Sequence, residues 1–456
     1  MKHKVSSLER IFSNFEDVTD QEWREKIEKD IKGHFQDLLW QDENKLVFQP
    51  YYRRTDMVEL ENLEKIQTAN QVDADWQITQ LLNWATEKPH EIHESITKAL
   101  DSGADRILLK SQSGLNSIEN FLADKQYGSS VFVQQNALVG DELPSGKNKA
   151  VFLFDPIADL MREGSAINLR DSLPGKRAKE FMESSNCRIL VDGSTYKNAG
   201  CNQVQEIAFL LQHAVEYLDF FTEKGFDAKS IAEKITIKTG IGTSFFSEIA
   251  KIRTLRFLWN RIMLAYGIKT AAVLIAEASS YYLSITEPYN NLLRLTTQLL
   301  SASFANCNFL ASPSFDLGNS ANALFSQRMA RNIQLILKNE CYANRVVDPS
   351  AGSYYVEALS AKYADAAWEK FTEMEKGGGL QKAFGSGSVQ DEILAIHQRR
   401  LERMKEGKIK VLGVNIHREK GAENPVIQTT AGKKRDYLPL EERNLSESYF
   451  RKQEEL

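Results

Sequence analysis

The sequence predicts an α/β protein: a (β/α)8 TIM barrel with an N-terminal helical arm and a C-terminal helical extension. Three observations carry this. Eight short apolar runs recur across roughly 250 residues, the arithmetic of such a barrel. Most are preceded by a stretch of helical periodicity. The flanks, 1–70 and 346–456, break the alternation. The runs are continuous rather than alternating, as parallel strands are when helices cover the sheet. A doubly wound open sheet is the alternative that periodicity leaves open.

The arm comes first. Thr19 and Glu22 have capping-box spacing, Asp20 and Glu22 suit the positive end of a helix dipole, and Trp23, Ile27, Ile31 and Phe35 follow at four-residue intervals. This stripe requires a cover, either its own domain or a partner subunit. Within 71–345 the predicted strands are 76–82, 106–110, 131–134, 151–155, 188–192, 235–239, 272–277 and 307–311. Gly103 fits a left-handed helix stop ahead of the second. Phe245, Ile249, Ile252, Leu255 and Leu258 mark a long amphipathic helix after the sixth, and Tyr289, Leu292, Leu293, Thr296 and Leu300 another after the seventh. The interval 135–150 is the weakest link. Beyond the barrel, Tyr363, Ala367, Phe371 and Met374 make a helix ended by Gly377-Gly378-Gly379, and 393–404 makes a second. The charged stretch from Lys405 onward has one apolar run, 411–416, and reads as a packed extension.

Composition narrows the function. A chain of 456 residues with a formal charge of −5 offers neither a nucleic acid nor an anionic membrane a complementary field. No apolar run approaches a membrane span, and the N-terminus has no signal-peptide core. The four cysteines are widely spaced, which argues against zinc or a disulfide framework and fits a reducing, cytoplasmic setting. The seven histidines form no metal-binding spacing; His90 and His93, one turn apart, lie on a polar helix and read as solvated. There is no Walker loop. Gly240-Ile241-Gly242 lacks the third glycine of a dinucleotide fingerprint but suits a close backbone approach or an anion at a helix start.

In a barrel, chemistry is expected at the C-terminal strand ends. Here those ends carry Asp155, Asp192 with Thr195, Lys238 with Thr239, Glu277 and Ser312. They read either as a polar site or as ordinary strand and helix caps.

Four runs then stand in a telling order: Gly240-Ile241-Gly242, Glu287-Pro288-Tyr289-Asn290-Asn291, Gln327-Arg328-Met329-Ala330-Arg331-Asn332, and the stretch Asp348-Pro349-Ser350-Ala351-Gly352-Ser353-Tyr354-Tyr355-Val356-Glu357. Together they resemble the acyl-CoA mutases that use adenosylcobalamin, methylmalonyl-CoA mutase above all. Trp23–Gly33 is similar to the opening helix of those subunits. The resemblance implies a barrel threaded by a CoA ester, with a separate flavodoxin-like domain for cobalamin.

Position by position, the catalytic residues of that family are replaced. Gly193-Ser194-Thr195-Tyr196-Lys197-Asn198-Ala199-Gly200 stands where catalytic members have Gly-Tyr-His-Met-Gln-Glu-Ala-Gly, which puts Thr195 at the histidine position. Threonine is no acid near neutral pH. Lys234-Ile235-Thr236-Ile237-Lys238 replaces a run bearing a substrate-contacting arginine. Val273–Ser280 replaces Arg-Ala-His-x-Gln-Thr-Ser-Gly. Ser314-Phe315-Asp316-Leu317 loses a carboxylate, and the family's N-terminal substrate signature has no counterpart around Pro50–Leu60. None of the histidines sits in the Asp-x-His-x-x-Gly motif of the cobalamin domain, and the chain ends about where that domain would begin.

This pattern resembles the non-catalytic small (beta) subunits of heterodimeric members. It implies no catalytic, cofactor or metal residues in this chain, adenosylcobalamin on a large (alpha) subunit partner, and a vestigial substrate face at Asp155, Thr195, Lys238 and Glu277. Two alternatives stand beside it. One is the catalytic barrel of a split mutase acting on another acyl-CoA, with Lys238 and Glu277 replacing the lost residues. The other is a regulatory module that binds an acyl-CoA or another metabolite.

Overall fold

The structure, a computed structural model, describes residues 18–58, 60–84, 89–111, 115–123, 127–135, 143–144, 149–317, 323–419 and 437–454. The chain divides into two compact units, one up to Arg53 and one from Arg54 onward.

In the second unit eight parallel strands close into a barrel: β1 (Gln77–Asn83), β2 (Arg106–Ser111), β3 (Val131–Gln135), β4 (Val151–Phe154), β5 (Cys187–Asp192), β6 (Ile235–Ile241), β7 (Leu274–Ala278) and β8 (Phe309–Ser312). Each strand pairs with its neighbour in sequence, and the ring closes where Phe309 of β8 stands beside Gln77 of β1. All eight predicted strands are present, within two residues of their expected starts. Their continuous apolar character has its expected cause: β6, for example, is buried at every position. The interval 135–150 lies largely outside the described residues.

Inside the ring, side chains stack in layers. Leu108, Leu153, Leu190, Ile275 and Ala311, from five strands, form one cluster with Leu81, Phe132, Val151 and Phe309 packed against it. Phe132 and Phe309 lie on strands three places apart around the ring. Their rings meet edge to face with centroids 5.1 Å apart. Apolar side chains therefore meet across the N-terminal half of the barrel interior.

Helices cover the outside: α1 (Pro89–Asp101), α2 (Leu115–Ala123), α3 (Pro156–Glu163), α4 (Ser194–Ala199), α5 (Gln203–Glu223), α6 (Phe245–Ala265), α7 (Asn290–Phe304) and α8 (Ala323–Asn339). The predicted amphipathic helix α6 departs from expectation. Glu248, Lys251, Arg253 and Arg256 are all buried. Their partners differ: Lys251 donates to the Gly240 carbonyl and Glu248 pairs with Lys197 on the barrel side, Arg256 donates to the Ala305 and Asn306 carbonyls, and Arg253 meets Glu357 of α9 (Tyr354–Lys376), which packs along α6 and is followed by α10 (Ser388–Lys405). The helix stop predicted at Gly377–Gly379 is present, with Gly378 and Gly379 both at positive φ. The last helix, α11 (Leu445–Glu454), puts Leu445 and Phe450 into an apolar cluster with Tyr281, Leu401, Met404 and Val414.

In the first unit the capping box is present. The Thr19 hydroxyl accepts from the Glu22 amide and the Glu22 carboxylate accepts from the Thr19 amide at 2.9 Å. The helix Asp20–Ile31 ends one residue before Lys32, whose backbone is left-handed, so Phe35 falls in the following 3-10 turn and not on the helix. Trp23 rests on Phe35 and on Tyr51, with centroids 5.8 and 5.6 Å apart, so part of the stripe is covered within this unit.

The buried thiols set an alkaline limit. Burial pushes Cys187 and Cys307 up to about 11 each, against partial relief from Ser184 and Lys234 at the first and Arg256 and Lys251 at the second. The folded state holds these protons more tightly than the unfolded chain, so their contribution is complete below pH 9 and is lost as pH rises through 11. At about 1.4 kcal/mol per unit this amounts to roughly 2–3 kcal/mol per thiol. Urea midpoints are expected to fall steeply between pH 9 and 11, and less steeply in a Cys187→Ala/Cys307→Ala variant. Parallel pH profiles for the two proteins would refute this.

Candidate functional site

Above the apolar layers, at the C-terminal ends of the strands, the barrel interior turns polar. Lys238 of β6 is fully buried at its centre. Its ammonium donates to Gln134 Oε1 at 2.8 Å and lies 3.1 Å from Asp192 Oδ2 and 3.2 Å from Glu277 Oε2. Lys110 of β2 donates to Glu277 Oε1 at 2.7 Å, and Gln134 donates to Asp192 Oδ2 at 2.9 Å. Lys110, Gln134, Asp192 and Glu277 follow the inward parity of the layer below, two positions after Leu108, Phe132, Leu190 and Ile275 respectively.

Arg162, from α3, closes the layer. Its guanidinium donates to Asp159 Oδ1 and Thr195 Oγ1, both at 2.6 Å, and approaches Asp192 Oδ2 at 3.4 Å. Thr195 therefore faces this layer as an acceptor, while Ser194 donates from both its amide and its hydroxyl to Asp192 Oδ1. Three cations (Lys110, Arg162, Lys238) face three carboxylates (Asp159, Asp192, Glu277), so the layer balances its own charge.

Asp155 belongs elsewhere. Its Oδ1 accepts from the Ala158 amide at 3.0 Å, His213 Nε2 at 2.9 Å and the Tyr217 hydroxyl at 2.8 Å, and its Oδ2 accepts from the Asp192 amide at 2.7 Å. It caps α3 and ties α5 to the sheet. The structure thus brings Lys238 and Glu277 into direct contact, links Thr195 to them through Arg162 and Asp192, and turns Asp155 to a fixed structural contact. Thr239 leaves the layer too, donating its hydroxyl to Glu206 at 2.6 Å, while the Ser312 hydroxyl donates to the Pro313 carbonyl. Lys110, Gln134 and Arg162 were not anticipated. Strand parity could have found the first two, but nothing local signals Arg162.

Burial drives the Asp192 carboxyl up, and the combined charge of Lys238, Arg162 and Lys110 more than reverses this, holding it well below the usual range. Glu277 is likewise driven up by burial and brought below its ordinary value by Lys110 and Lys238, with Asp192 opposing. Both carboxylates are ionised near neutral pH, which suits ion pairing rather than proton donation.

A second buried charge cluster underlies the Gly-Ile-Gly run. Lys197 lies 2.9 Å from Glu248, Lys251 lies 2.8 Å from Glu206 and 2.6 Å from Glu248, and Glu206 also accepts from the Gly240 amide. A Cβ on Gly240 would stand 2.5 Å from Lys197 Cβ. Of the two meanings the sequence left open, close backbone approach is the one this geometry explains.

The other motifs are structural as well. Asn291 donates to the Ser284 and Phe315 carbonyls. Arg331 donates to the Ser102 carbonyl and to Gln80. Arg253 joins Asp348 and Glu357, which pins the start of α9 to α6. Among the described residues no cluster of His, Cys, Asp and Glu could hold a metal. The buried imidazoles are engaged in the core, His213 between Asp155 and Tyr196 and His397 against Tyr281, so this set does not fit cobalt ligation at the barrel mouth. No helix among the described residues is long and apolar enough to cross a membrane.

The family model for methylmalonyl-CoA mutase matches residues 178–442. The chain is similar to the methylmalonyl-CoA mutase small subunit of Porphyromonas gingivalis, 28% identical over 89% of this chain and 71% of that one. It is 33% identical to the small subunit from Propionibacterium freudenreichii subsp. shermanii over 58% of this chain and 42% of that one. It is also 36% identical to the methylmalonyl-CoA mutase of Cereibacter sphaeroides over 50% of this chain and 33% of that one. The match therefore spans well under two thirds of the latter two relatives. The matched region holds the second half of the barrel, the buried charge cluster and the α9–α10 layer. The chain belongs to the methylmalonyl-CoA mutase family.

Proposed function

We propose that this chain is the non-catalytic small subunit of a heterodimeric methylmalonyl-CoA mutase, supporting a large subunit that binds adenosylcobalamin and interconverts methylmalonyl-CoA and succinyl-CoA. The observation that carries this reading is the apolar contact across the barrel interior. A CoA thioester threading the axis needs an open channel, and Phe132 and Phe309 meet across it. Above them, Lys238 lies between Asp192 and Glu277, at 3.1 and 3.2 Å, so its charge is engaged within the layer. Thr195 accepts a hydrogen bond from Arg162 where catalytic relatives place a histidine, so no group there titrates near neutral pH.

The same features count against a split mutase with its catalytic barrel here, since such a barrel needs an acid where Thr195 stands. The naming of two similar proteins as small subunits supports a role beside a large subunit.

The test is co-purification. Co-expressed with a mutase large subunit, the chain is expected to elute as a one-to-one complex by native mass spectrometry. Alone, supplied with adenosylcobalamin and methylmalonyl-CoA, it is expected to produce no succinyl-CoA. Turnover by the isolated chain, or failure to associate with any mutase large subunit, would overturn the assignment.

A further inference from the structure

The segment 437–444 runs along the C-terminal face of the barrel. Its first contact is at the end of α3, where the Tyr437 amide donates to the Gly164 carbonyl at 3.0 Å and the Leu440 amide to the Met161 carbonyl at 2.9 Å. It then passes the end of α4, where the Arg443 amide donates to Asn198 O at 2.7 Å and the Arg443 guanidinium to Ala199 O at 3.0 Å. It finishes on the loop after β7, where Asn444 donates to the Ser280 and Leu283 carbonyls, each at 2.9 Å. Because α3 follows β4 and the last loop follows β7, the segment forms a chord across the face on which barrels of this kind open their sites. The negative charge of Glu442 adds to that of Glu277 in keeping the Lys110 ammonium of β2 charged against burial.

The hold is uneven. After Asn444 the chain is secured by Leu445 and Phe450 in the cluster with Tyr281. Before it, Pro439 and Leu440 are the buried residues and Leu438, Glu441 and Glu442 are exposed; besides its bonds to backbone carbonyls, the segment is held by Gln390, which donates to the Leu438 carbonyl at 2.9 Å, and by the Tyr437 ring edge-on to Phe384 with centroids 6.1 Å apart. A segment fixed at one end and lightly held along the rest opens locally more readily than the barrel beneath it.

We propose that residues 437–444 are a strap that closes the C-terminal mouth of the barrel, hinged at Asn444, and that the polar layer around Lys238 and Asp192 becomes accessible to solutes when the strap lifts. The proposal goes beyond the subunit assignment and stands or falls separately, since it concerns this chain alone.

Amine labelling read by peptide mass spectrometry tests it on the full chain. In the wild type, Lys110, 28% exposed, is expected to react slowly and the buried Lys238 not at all, while Lys176, 92% exposed, reacts at once. In a Leu440→Ser/Arg443→Ala variant, Lys110 is expected to react about tenfold faster and Lys238 to become detectable, with Lys176 unchanged. Amides of 194–199 should exchange faster while those of β6 do not. Unchanged Lys110 labelling in a variant whose 437–444 amides exchange freely would overturn the strap. Should the variant unfold, the wild type in sub-denaturing urea decides: Lys110 reacting before the core lysines Lys197 and Lys251 supports the strap, and simultaneous reaction refutes it.

Discussion

Lys238→Met is expected to destabilise the protein by about 3 kcal/mol at pH 7, the low end of the range for removing one partner of a buried ion pair. The side chain is completely enclosed and lies within 3.2 Å of both Asp192 and Glu277. Methionine fills much of the volume but removes the charge that offsets two buried carboxylates. Arg162 and Lys110 remain, each about a quarter exposed, so part of the loss is recovered and the upper end of the range is not reached. The sign of the pH dependence separates this from a packing defect. Without Lys238, burial and the charge of Asp192 drive the Glu277 carboxyl up, so the variant gains stability relative to wild type as pH falls toward 5 and the group takes a proton. Urea unfolding at pH 5 and pH 7 measures it. A loss equal at the two values would mean that Lys238 acts through shape. Adding Glu277→Gln should recover part of the loss at pH 7, because the second change then removes an uncompensated charge.

How much of this layer the sequence discloses depends on which atoms decide the outcome. The strands are legible because burial on both faces forces a run such as Ile235–Ile241 to be apolar almost throughout, and such a run survives in any one sequence. Lys238 and Glu277 are legible as charges inside such runs. Their partnership is not, since it depends on β5, β6 and β7 lying side by side in the register that puts Asp192 beside Lys238. Asp155 shows the converse. Strand parity points it inward, but β4 ends at Phe154, and three donors from α3 and α5 hold the carboxylate where it caps a helix. Glu206, Glu248 and Lys251 were hidden by periodicity itself. A helix with apolar residues at helical spacing predicts its charged positions to be wet, but these three turn inward: Glu206 accepts from Thr239 and the Gly240 amide, Lys251 donates to the Gly240 carbonyl, and Lys197 of α4 reaches Glu248.

Gly240→Ala is expected to cost about 4 kcal/mol or to prevent folding, combining overpacking with disruption of buried charge pairs. The added methyl would meet Lys197 Cβ at 2.5 Å and Cγ at 2.6 Å, and the first of these atoms is fixed by the backbone, so no rotamer change carries it away. Either β6 or α4 must move. The Gly240 amide donates to Glu206 at 2.9 Å and its carbonyl accepts from Lys251, while Lys197 reaches Glu248 at 2.9 Å, so any movement loosens a four-charge cluster that is at most 1% exposed. Gly242 is confined in the same way, its Cβ direction blocked by Glu248 Oε1 at 2.8 Å and Tyr282 at 2.9 Å. Gly225→Ala is the control. It has open space around it and only a positive φ of 86° to strain it, so a loss of about 1 kcal/mol is expected. The informative combination is Gly240→Ala with Lys197→Ala. If the glycine is needed for the lysine's charge, truncation should rescue. If it is needed for close approach of α4 to β6, truncation should not, because alanine keeps the offending Cβ and leaves Glu248 short of a partner. The distances favour the second outcome, and thermal unfolding of the single and double variants distinguishes the two. In that case the Gly-Ile-Gly run persists because the backbone of β6 must pass against α4, a requirement that holds whether or not a barrel of this family carries out chemistry.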